Sequence, residues 1–232
     1  QVPASKLSSS KKLEKFGDKK KNTDKVLIIE STDLDKGVFP FLYQQVDLTK
    51  INNPALLIRS DKALSWHVSM ASRQLAKPVI IVKPETKIQK SGSINLSIEA
   101  KYLPSHKTQN VIGFVEGKLY PDSFIVFSAH YDHLGKMGKN TWFPGANDNA
   151  SGTAMIMDLA KYYSLSENHH DYSIVFMAFA GEEAGLYGSK YFTENPVFPL
   201  NNIKMLINLD MVGTGSTGIT VVNGGVYTNE FE

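Results

Sequence analysis

Histidine and acidic side chains stand directly after three apolar segments of this 232-residue sequence. They are His130 and Asp132 after "SFIVFS", Glu182 and Glu183 after "YSIVFMAFA", and Asp210 after "IKMLINL". Because the chain contains no cysteine, disulfides and thiolate metal sites are excluded, and His, Asp and Glu remain as the strong metal ligands. Imidazole and carboxylate ligands together suit zinc and also accept manganese or cobalt, whereas calcium and magnesium favour oxygen alone.

A sixth such residue, Asp148 in "GANDNASG", stands in the loop that follows the first apolar segment. Carboxylates that converge without a lysine or arginine nearby raise one another's pKa, so the arrangement is unfavourable unless a cation binds. The carboxylates of Asp148, Glu183 and Asp210 carry three negative charges, against four positive charges on two zinc ions. One hydroxide would make such a site neutral, and this charge balance favours two metals over one.

His133 is the second histidine of "SAHYDHLG". One histidine suffices at this point of the predicted site, so we expect His133 to be a loop residue or to lie at the substrate edge. For Glu182 and Glu183 the alternative is a solvated helix start, because acids favour the first turn of a helix. For Asp148 the alternative is a helix N-cap, and we expect that role for Ser151.

The elements that carry these residues alternate between strand and helix. Apolar runs predict strands at 123–128, 172–180 and 203–209, and helices are predicted at 151–163 and 185–194. The strands are almost continuously apolar, which is typical of parallel strands with helices on both faces. Ligands bind outside the carboxyl ends of the strands in open α/β sheets, so we expect the six side chains to converge there.

The first part of the sequence predicts a separate small α/β module. Short β-rich runs at 25–31, 54–60 and 77–84 flank a predicted helix at 63–76.

A new sheet is predicted after "KSGS". The segment "INLSIEA" at 94–100 alternates strictly between apolar and polar residues, and "NVIGFVEG" at 110–117 continues as a second strand. We therefore divide the chain into a small module at residues 1–88 and a catalytic domain at residues 89–232.

Lysine is concentrated at the amino-terminal end. Residues 1–25 contain eight lysines, three acidic residues and no arginine, although the net charge of the chain is only +2. We interpret this serine-rich segment as a solvated, mobile end and expect no nucleic-acid partner. No apolar run approaches the roughly 18 residues of a membrane-spanning helix. The sequence begins at Gln1, as after removal of a leader, and we expect export to the periplasm or out of the cell. The sequence leaves the oligomeric state open.

Four segments together resemble the metallopeptidase family that contains the co-catalytic di-zinc aminopeptidases, glutamate carboxypeptidase and the glutaminyl cyclases. They are "SAHYDHLG", "PGANDNASGTA", "FMAFAGEEAGLYGSKYF" and "INLDMVG", which occur in the family's order. The resemblance covers roughly residues 93–215. It implies the zinc exopeptidase fold, a three-layer α/β sandwich with a mixed, centrally parallel sheet. Residues 1–88 resemble part of the protease-associated lid that some members insert.

The resemblance also implies the ligands of two zinc ions in a complete site. His130 and Asp210 resemble ligands of the first metal, and Glu183 resembles a ligand of the second. Asp148 resembles the carboxylate that bridges both metals, and in the family this aspartate is followed by a cis peptide bond, here to Asn149.

Two further residues are implied to assist catalysis without binding metal. Asp132 resembles the carboxylate that holds the imidazole of His130 in its tautomer. Glu182 resembles the general base, which takes a proton from a metal-bridging water and passes it to the leaving amine. The implied function is a zinc-dependent exopeptidase, most simply an aminopeptidase, with peptides as substrates.

Family members complete the second metal site with a histidine well downstream of the third strand. After Asp210 this sequence contains no histidine through Glu232, and we expect the chain to be a carboxyl-terminally truncated part of a longer protein. Two alternatives stay open: a glutaminyl cyclase-like acyltransferase that uses one zinc, and a non-catalytic binding relative.

Overall fold

The computed structural model describes residues 24–30, 52–59, 74–89, 92–215, 218–223 and 225–226. The chain falls into two compact units, of which the first contains the described residues up to Ser105 and the second those from His106 onward. The predicted catalytic domain begins at residue 89 and so includes residues 92–105, which the structure groups with the first unit.

The first unit contains a three-stranded parallel sheet. Its strands are β1 (Leu27–Glu30), β2 (Leu56–Arg59) and β3 (Val79–Val82), in the order β1-β2-β3. All three lie within runs that the sequence predicts as strands, and the central strand β2 is buried from Leu56 to Ile58. The predicted helix at 63–76 lies largely outside the described residues, and the lid-like character of this unit stays a prediction.

The second unit is built on a four-stranded mixed sheet. In chain order its strands are β4 (Val111–Val115), β5 (Tyr120–His130), a small hairpin of β6 (Gly135–Met137) and β7 (Thr141–Phe143), β8 (Tyr172–Phe179) and β9 (Ile203–Asn208). The sheet order is β4-β8-β5-β9, in which β5 is parallel to β8 and β9, and β4 is antiparallel to β8. The predicted mixed, centrally parallel sheet is therefore confirmed.

Two helices connect the parallel strands: α1 (Gly152–Tyr163) and α2 (Tyr187–Glu194). Phe127 on β5 stacks on Tyr163 of α1, whereas its neighbour Val126 is buried in a cluster with Phe192 of α2. Successive side chains of a strand point to opposite faces of the sheet, so the two helices cover opposite faces and make three layers. Among the described ranges no helix is long and apolar enough to cross a membrane.

One predicted strand is wrong. Residues 94–100 form no strand, and Ile94, Leu96 and Ile98 are all exposed. Alternation stabilises a strand only where one face is buried and the backbone pairs with a neighbour, and within the described part of the chain this segment has neither. The second strand predicted with it, at 110–117, is confirmed as β4.

The order of the strands predicts a crevice at one edge of this sheet. From β5 the chain passes through α1 to β8, and from β8 it passes through α2 to β9 on the other side of β5. Where the direction of winding reverses, the connections separate outside the carboxyl ends of the strands, and α/β proteins bind ligands there.

Candidate metal centre

His130 is the last residue of β5 and lies at the mouth of this crevice. Its side chain is only 4% exposed, and its Nδ1 lies 3.1 Å from the backbone oxygen of Asp132. A carbonyl oxygen can only accept a hydrogen bond, so we assign the proton of the neutral ring to Nδ1. The unprotonated Nε2 of His130 then faces the crevice.

Three carboxylates surround this Nε2 atom. The distances from Nε2 are 3.2 Å to Asp148 Oδ1, 3.6 Å to Asp210 Oδ1 and 3.9 Å to Glu182 Oε2. A nitrogen lone pair that faces carboxylate oxygens is repelled by them unless a cation lies between. Within the described ranges each ion pair of these carboxylates is with a histidine, so no lysine or arginine there supplies the positive charge. A cation bound between these atoms would remove the repulsion.

A second histidine lies beside the first. His133 Nδ1 is 2.7 Å from Glu183 Oε1 and 3.9 Å from Asp148 Oδ1. We call His130, Asp148 and Asp210 the His130 cluster, and His133, Asp148 and Glu183 the His133 cluster. In each cluster one ligand atom of every member lies within 4.8 Å of the others. The structure thus brings His133 into the centre, and Asp148 belongs to both clusters.

The residues present fit zinc. Within the described part of the chain, His133 Nδ1 and Glu183 Oε1 are buried without a hydrogen bond, although the two atoms lie 2.7 Å apart. A buried polar atom without a hydrogen bond costs about 1–3 kcal/mol, and a cation shared by both atoms would satisfy them. Each cluster offers one imidazole and two carboxylates, which is a donor set that zinc accepts.

Asp148 lies in an irregular turn, Ala146–Ser151, between β7 and α1. Asp148 and Asn149 have non-helical backbone dihedrals, and the peptide bond between them is cis, as the resemblance implies. Gly145 precedes the turn with a φ of +66°, a left-handed conformation that glycine adopts without strain. A Cβ at Gly145 would lie 2.9 Å from Cβ and Cγ of His133, so the backbone before the turn packs directly against this imidazole.

Asn149 is buried beneath the turn and connects it to the segment that carries Asp210. Its side-chain amide makes three hydrogen bonds with backbone groups: to Leu209 O at 3.0 Å, from Gly152 N at 3.0 Å and from Met211 N at 3.3 Å. Because Leu209 and Met211 flank Asp210, this one amide fixes the position of Asp210 relative to Asp148.

Ser151 stands at the N-cap position of α1, as predicted, but its side chain makes no capping hydrogen bond. The Ser151 hydroxyl donates to Asn147 O over 2.6 Å, and Asn149 Oδ1 accepts from the first backbone N–H of α1. Asn147 adds a further link to the Asp210 segment, because its Oδ1 accepts from Gly213 N at 2.9 Å. In the sequence, the two asparagines beside Asp148 are the signal that could have indicated this cap, because asparagine is a preferred N-cap residue.

The side chain of Asp132 supports the two glutamates. Its Oδ1 accepts from Glu182 N at 3.0 Å and its Oδ2 accepts from Glu183 N at 3.2 Å, whereas Oδ1 lies 3.8 Å from His130 Nδ1. The imidazole contact that the resemblance implies for this carboxylate is thus made by the backbone oxygen of Asp132. One residue orients both His130 and the loop after β8.

Glu182 borders the His130 cluster from that loop. Burial raises the pKa of its carboxyl above the usual range, a protonated His130 would oppose the shift, and the neighbouring carboxylates of Glu183, Asp210 and Asp132 add to it. A carboxyl group whose pKa lies closer to neutrality exchanges a proton more readily, which suits a general base.

All six residues predicted from the sequence therefore lie at the carboxyl edge of the sheet, and the structure adds three that were not predicted. The additions are His133, Asn147 and Asn149, which lie next to predicted residues in the sequence.

Residues 110–232 match the model of peptidase family M28. A probable zinc metalloprotease of Pyricularia oryzae is 39% identical over 116 residues, which cover 48% of this chain and 23% of that protein. Aminopeptidase YwaD of Bacillus subtilis is 31% identical over 148 residues, covering 63% of this chain and 31% of that protein. A glutamate carboxypeptidase 2 homolog of Caenorhabditis elegans is 34% identical over 125 residues, which cover 52% of this chain and 15% of that protein.

The chain spans less than a third of the length of these three relatives. Among solved structures, a glutaminyl cyclase from an Acidobacteriales bacterium aligns with 28% identity and a TM-score of 0.36 over 45% of this chain and 38% of that one. Several of the curated relatives are named probable zinc metalloproteases. Because the family model covers more than half of the sequence, the chain belongs to peptidase family M28.

Proposed function

We propose that the protein is a zinc-dependent exopeptidase that acts as an aminopeptidase and hydrolyses the first peptide bond of its substrate at a two-zinc centre. The observation that carries this proposal is the position of Asp148. Its Oδ1 lies 3.2 Å from His130 Nε2 and 3.9 Å from His133 Nδ1, so one carboxylate serves both clusters. A one-zinc glutaminyl cyclase would leave the second cluster without a role.

Four carboxylate and imidazole groups would hold the zinc ions. His130 and Asp210 would bind the first ion, Glu183 the second, and Asp148 both. When bound, zinc polarises the carbonyl of the scissile bond and lowers the pKa of water, which makes water a competent nucleophile at neutral pH.

Glu182 would serve as the general base. Its Oε2 lies 3.9 Å from His130 Nε2, so the carboxylate reaches the edge of the His130 cluster and still borders the open crevice. It takes a proton from the attacking water and gives it to the leaving amine when the C–N bond breaks. Asp132 positions the base by accepting the hydrogen bond of its backbone N–H.

The names of the relatives differ on which end of a peptide is attacked. The Bacillus subtilis relative is named an aminopeptidase, and the Caenorhabditis elegans relative is named a glutamate carboxypeptidase homolog. The match to the aminopeptidase covers more of this chain, 63% against 52%, and the proposal of attack at the amino terminus follows that relative.

The test combines two peptides with one variant. The zinc-loaded protein should release the first residue of a peptide with a free amino terminus and leave the same peptide intact when its amino terminus is acetylated. Glu182→Gln should lower kcat by about 10²–10⁴-fold, the usual contribution of general acid–base catalysis, without loss of bound zinc.

Glu194→Gln is the matched control, because Glu194 is exposed at the end of α2, and it should keep full activity. Release of the last residue from the acetylated peptide, conversion of an amino-terminal glutamine to pyroglutamate, or undiminished turnover by Glu182→Gln would each contradict the proposal.

A further inference from the structure

We propose that His133 is a ligand of the second cation. Among the described residues each cluster then offers its ion one imidazole, one carboxylate of its own and the shared carboxylate of Asp148, and the downstream histidine that the resemblance implies would add to the second set. The carboxylate specific to the His130 cluster is that of Asp210, and the one specific to the His133 cluster is that of Glu183. This inference rests on the proposed two-zinc function, and it assigns a metal-binding role to a residue that the sequence pattern leaves in a loop.

The imidazole of His133 presents Nδ1 to the carboxylates. Nδ1 lies 2.7 Å from Glu183 Oε1 and 3.9 Å from Asp148 Oδ1. The opposite edge of the ring faces Gly145, where a Cβ would come within 3.0 Å of His133 Cδ2. The backbone at Gly145 therefore seats the ring and leaves Nδ1 facing Glu183.

A hydrogen bond between His133 and Glu183 is the competing explanation for their proximity. Such a bond requires the donor hydrogen to point at the acceptor, and within the described part of the chain neither of the two atoms has a hydrogen bond. Their side chains are 21% and 17% exposed, and the two atoms themselves are buried. Two ligands of one cation behave in this way, because each directs its lone pair at the ion and not at the other ligand.

The described residues offer no third imidazole at this edge of the sheet. His106 lies at the start of the second unit and is exposed, and His169 and His170 precede β8, at its amino end. Among the histidines of the described ranges, only His130 and His133 have a ring nitrogen within 4.0 Å of the carboxylates of the centre.

The test is metal binding, measured independently of peptide hydrolysis. Metal-free protein is titrated with Zn²⁺ or Co²⁺, and the bound metal is counted after dialysis. The wild-type protein should bind two ions, and so should the control His106→Ala. His133→Ala should keep the first ion and lose at least about 100-fold in affinity for the second, the upper end of what losing a supporting partner of a metal ligand costs.

His133→Cys gives a second readout that does not depend on the alanine variant being folded. The sequence contains no cysteine, so a thiolate-to-Co²⁺ charge-transfer band that appears in the variant and not in the wild type reports a bond from residue 133. A zinc–sulfur bond of about 2.3 Å, against 2.0–2.1 Å for zinc–nitrogen, helps the shorter side chain to reach the ion. The expected result is a new near-ultraviolet band.

Two ions bound with unchanged affinity by His133→Ala, or a folded His133→Cys without the band, would overturn the inference. The outcome is separable from that of the proposed function. A protein that binds two ions with the help of His133 and cleaves no peptide contradicts only the peptidase proposal. A His133→Ala variant that keeps two ions and full aminopeptidase activity contradicts only the assignment of His133.

Discussion

The two clusters of the candidate metal centre differ in what holds their histidines. His130 ends a core strand, is 4% exposed, and has its Nδ1 bonded to a backbone oxygen. His133 lies three residues further on, before the β6–β7 hairpin, is 21% exposed, and has its ring seated against the backbone at Gly145. The first imidazole is held by the sheet, and the second is held by a loop that packs on another loop.

This difference indicates unequal affinities. A ligand that is already fixed loses less conformational freedom on binding, and the His130 cluster is fixed by a strand end and by the buried amide of Asn149. In the His133 cluster, Glu183 is held only through its backbone N–H, which donates to Asp132 Oδ2, and no buried side-chain amide of the described residues holds the loop of His133. We therefore expect the first cation to bind more tightly than the second, and three substitutions test this comparison.

Asp148→Ala should have the largest effect, because Asp148 is the only member common to both clusters. Both cations should be lost, and kcat/KM should fall by about 10³-fold or more, since metal catalysis supplies several kcal/mol and each 1.36 kcal/mol is tenfold in rate. Metal content after dialysis and peptide turnover are the measurements. Asp158→Ala, at an exposed position of α1, should leave both unchanged. If Asp148→Ala still binds one cation tightly, that cluster does not depend on the shared carboxylate.

Asn149→Ala should destabilise the protein and weaken mainly the His130 cluster. The asparagine is 1% exposed, and its loss leaves backbone groups of Leu209, Gly152 and Met211 unpaired. At about 1–3 kcal/mol for an unsatisfied buried group, we expect a loss of about 2–4 kcal/mol in the free energy of unfolding of the metal-free protein, measured by urea denaturation. Affinity for the first cation should fall about 10- to 100-fold.

Asn147→Ala is the comparison for this variant, because the side-chain hydrogen bonds of Asn147 are exposed. Its effect on the free energy of unfolding should be clearly smaller. Equal losses of unfolding free energy in the two variants would show that burial of the Asn149 amide does not explain the destabilisation.

Gly145→Ala should have the smallest effect, confined to the His133 cluster. The new Cβ would lie 2.9 Å from Cβ and Cγ of His133. Displacement of the ring should lower the affinity for the second cation about 10-fold and leave the affinity for the first unchanged. Gly138→Ala separates this contact from backbone strain, because Gly138 has a φ of +61° and open space around its Cβ position. Both variants should lose about 1–2 kcal/mol of stability from the left-handed backbone. If Gly138→Ala also lowers the affinity for the second cation, backbone strain and not the contact with His133 explains the effect.

Most of the second unit could be predicted because its strands are continuously apolar. The runs at 123–128 and 172–180 coincide with the buried parts of β5 and β8, since strands covered on both faces need apolar side chains at every position. The run at 203–209 coincides with β9, whose residues alternate between half-buried and exposed. The segment at 94–100 carried an equally regular pattern, yet it is exposed and unpaired in the described structure. Periodicity shows what a segment can bury and not whether a partner is present. Export and a lid-like first unit stay predictions.

The sequence alone establishes which residue types stand at the strand ends, because an ionisable side chain directly after a buried strand has to lie at the sheet edge. It also establishes that His, Asp and Glu are the strong metal ligands available there, since the chain has no cysteine. The folded arrangement decides which atoms meet. Asp132 reaches a backbone amide 50 residues away and Asn149 a carbonyl 60 residues away. Those pairings, and the position of His133 beside Glu183, depend on the β8-β5-β9 order, which brings distant loops together at one edge.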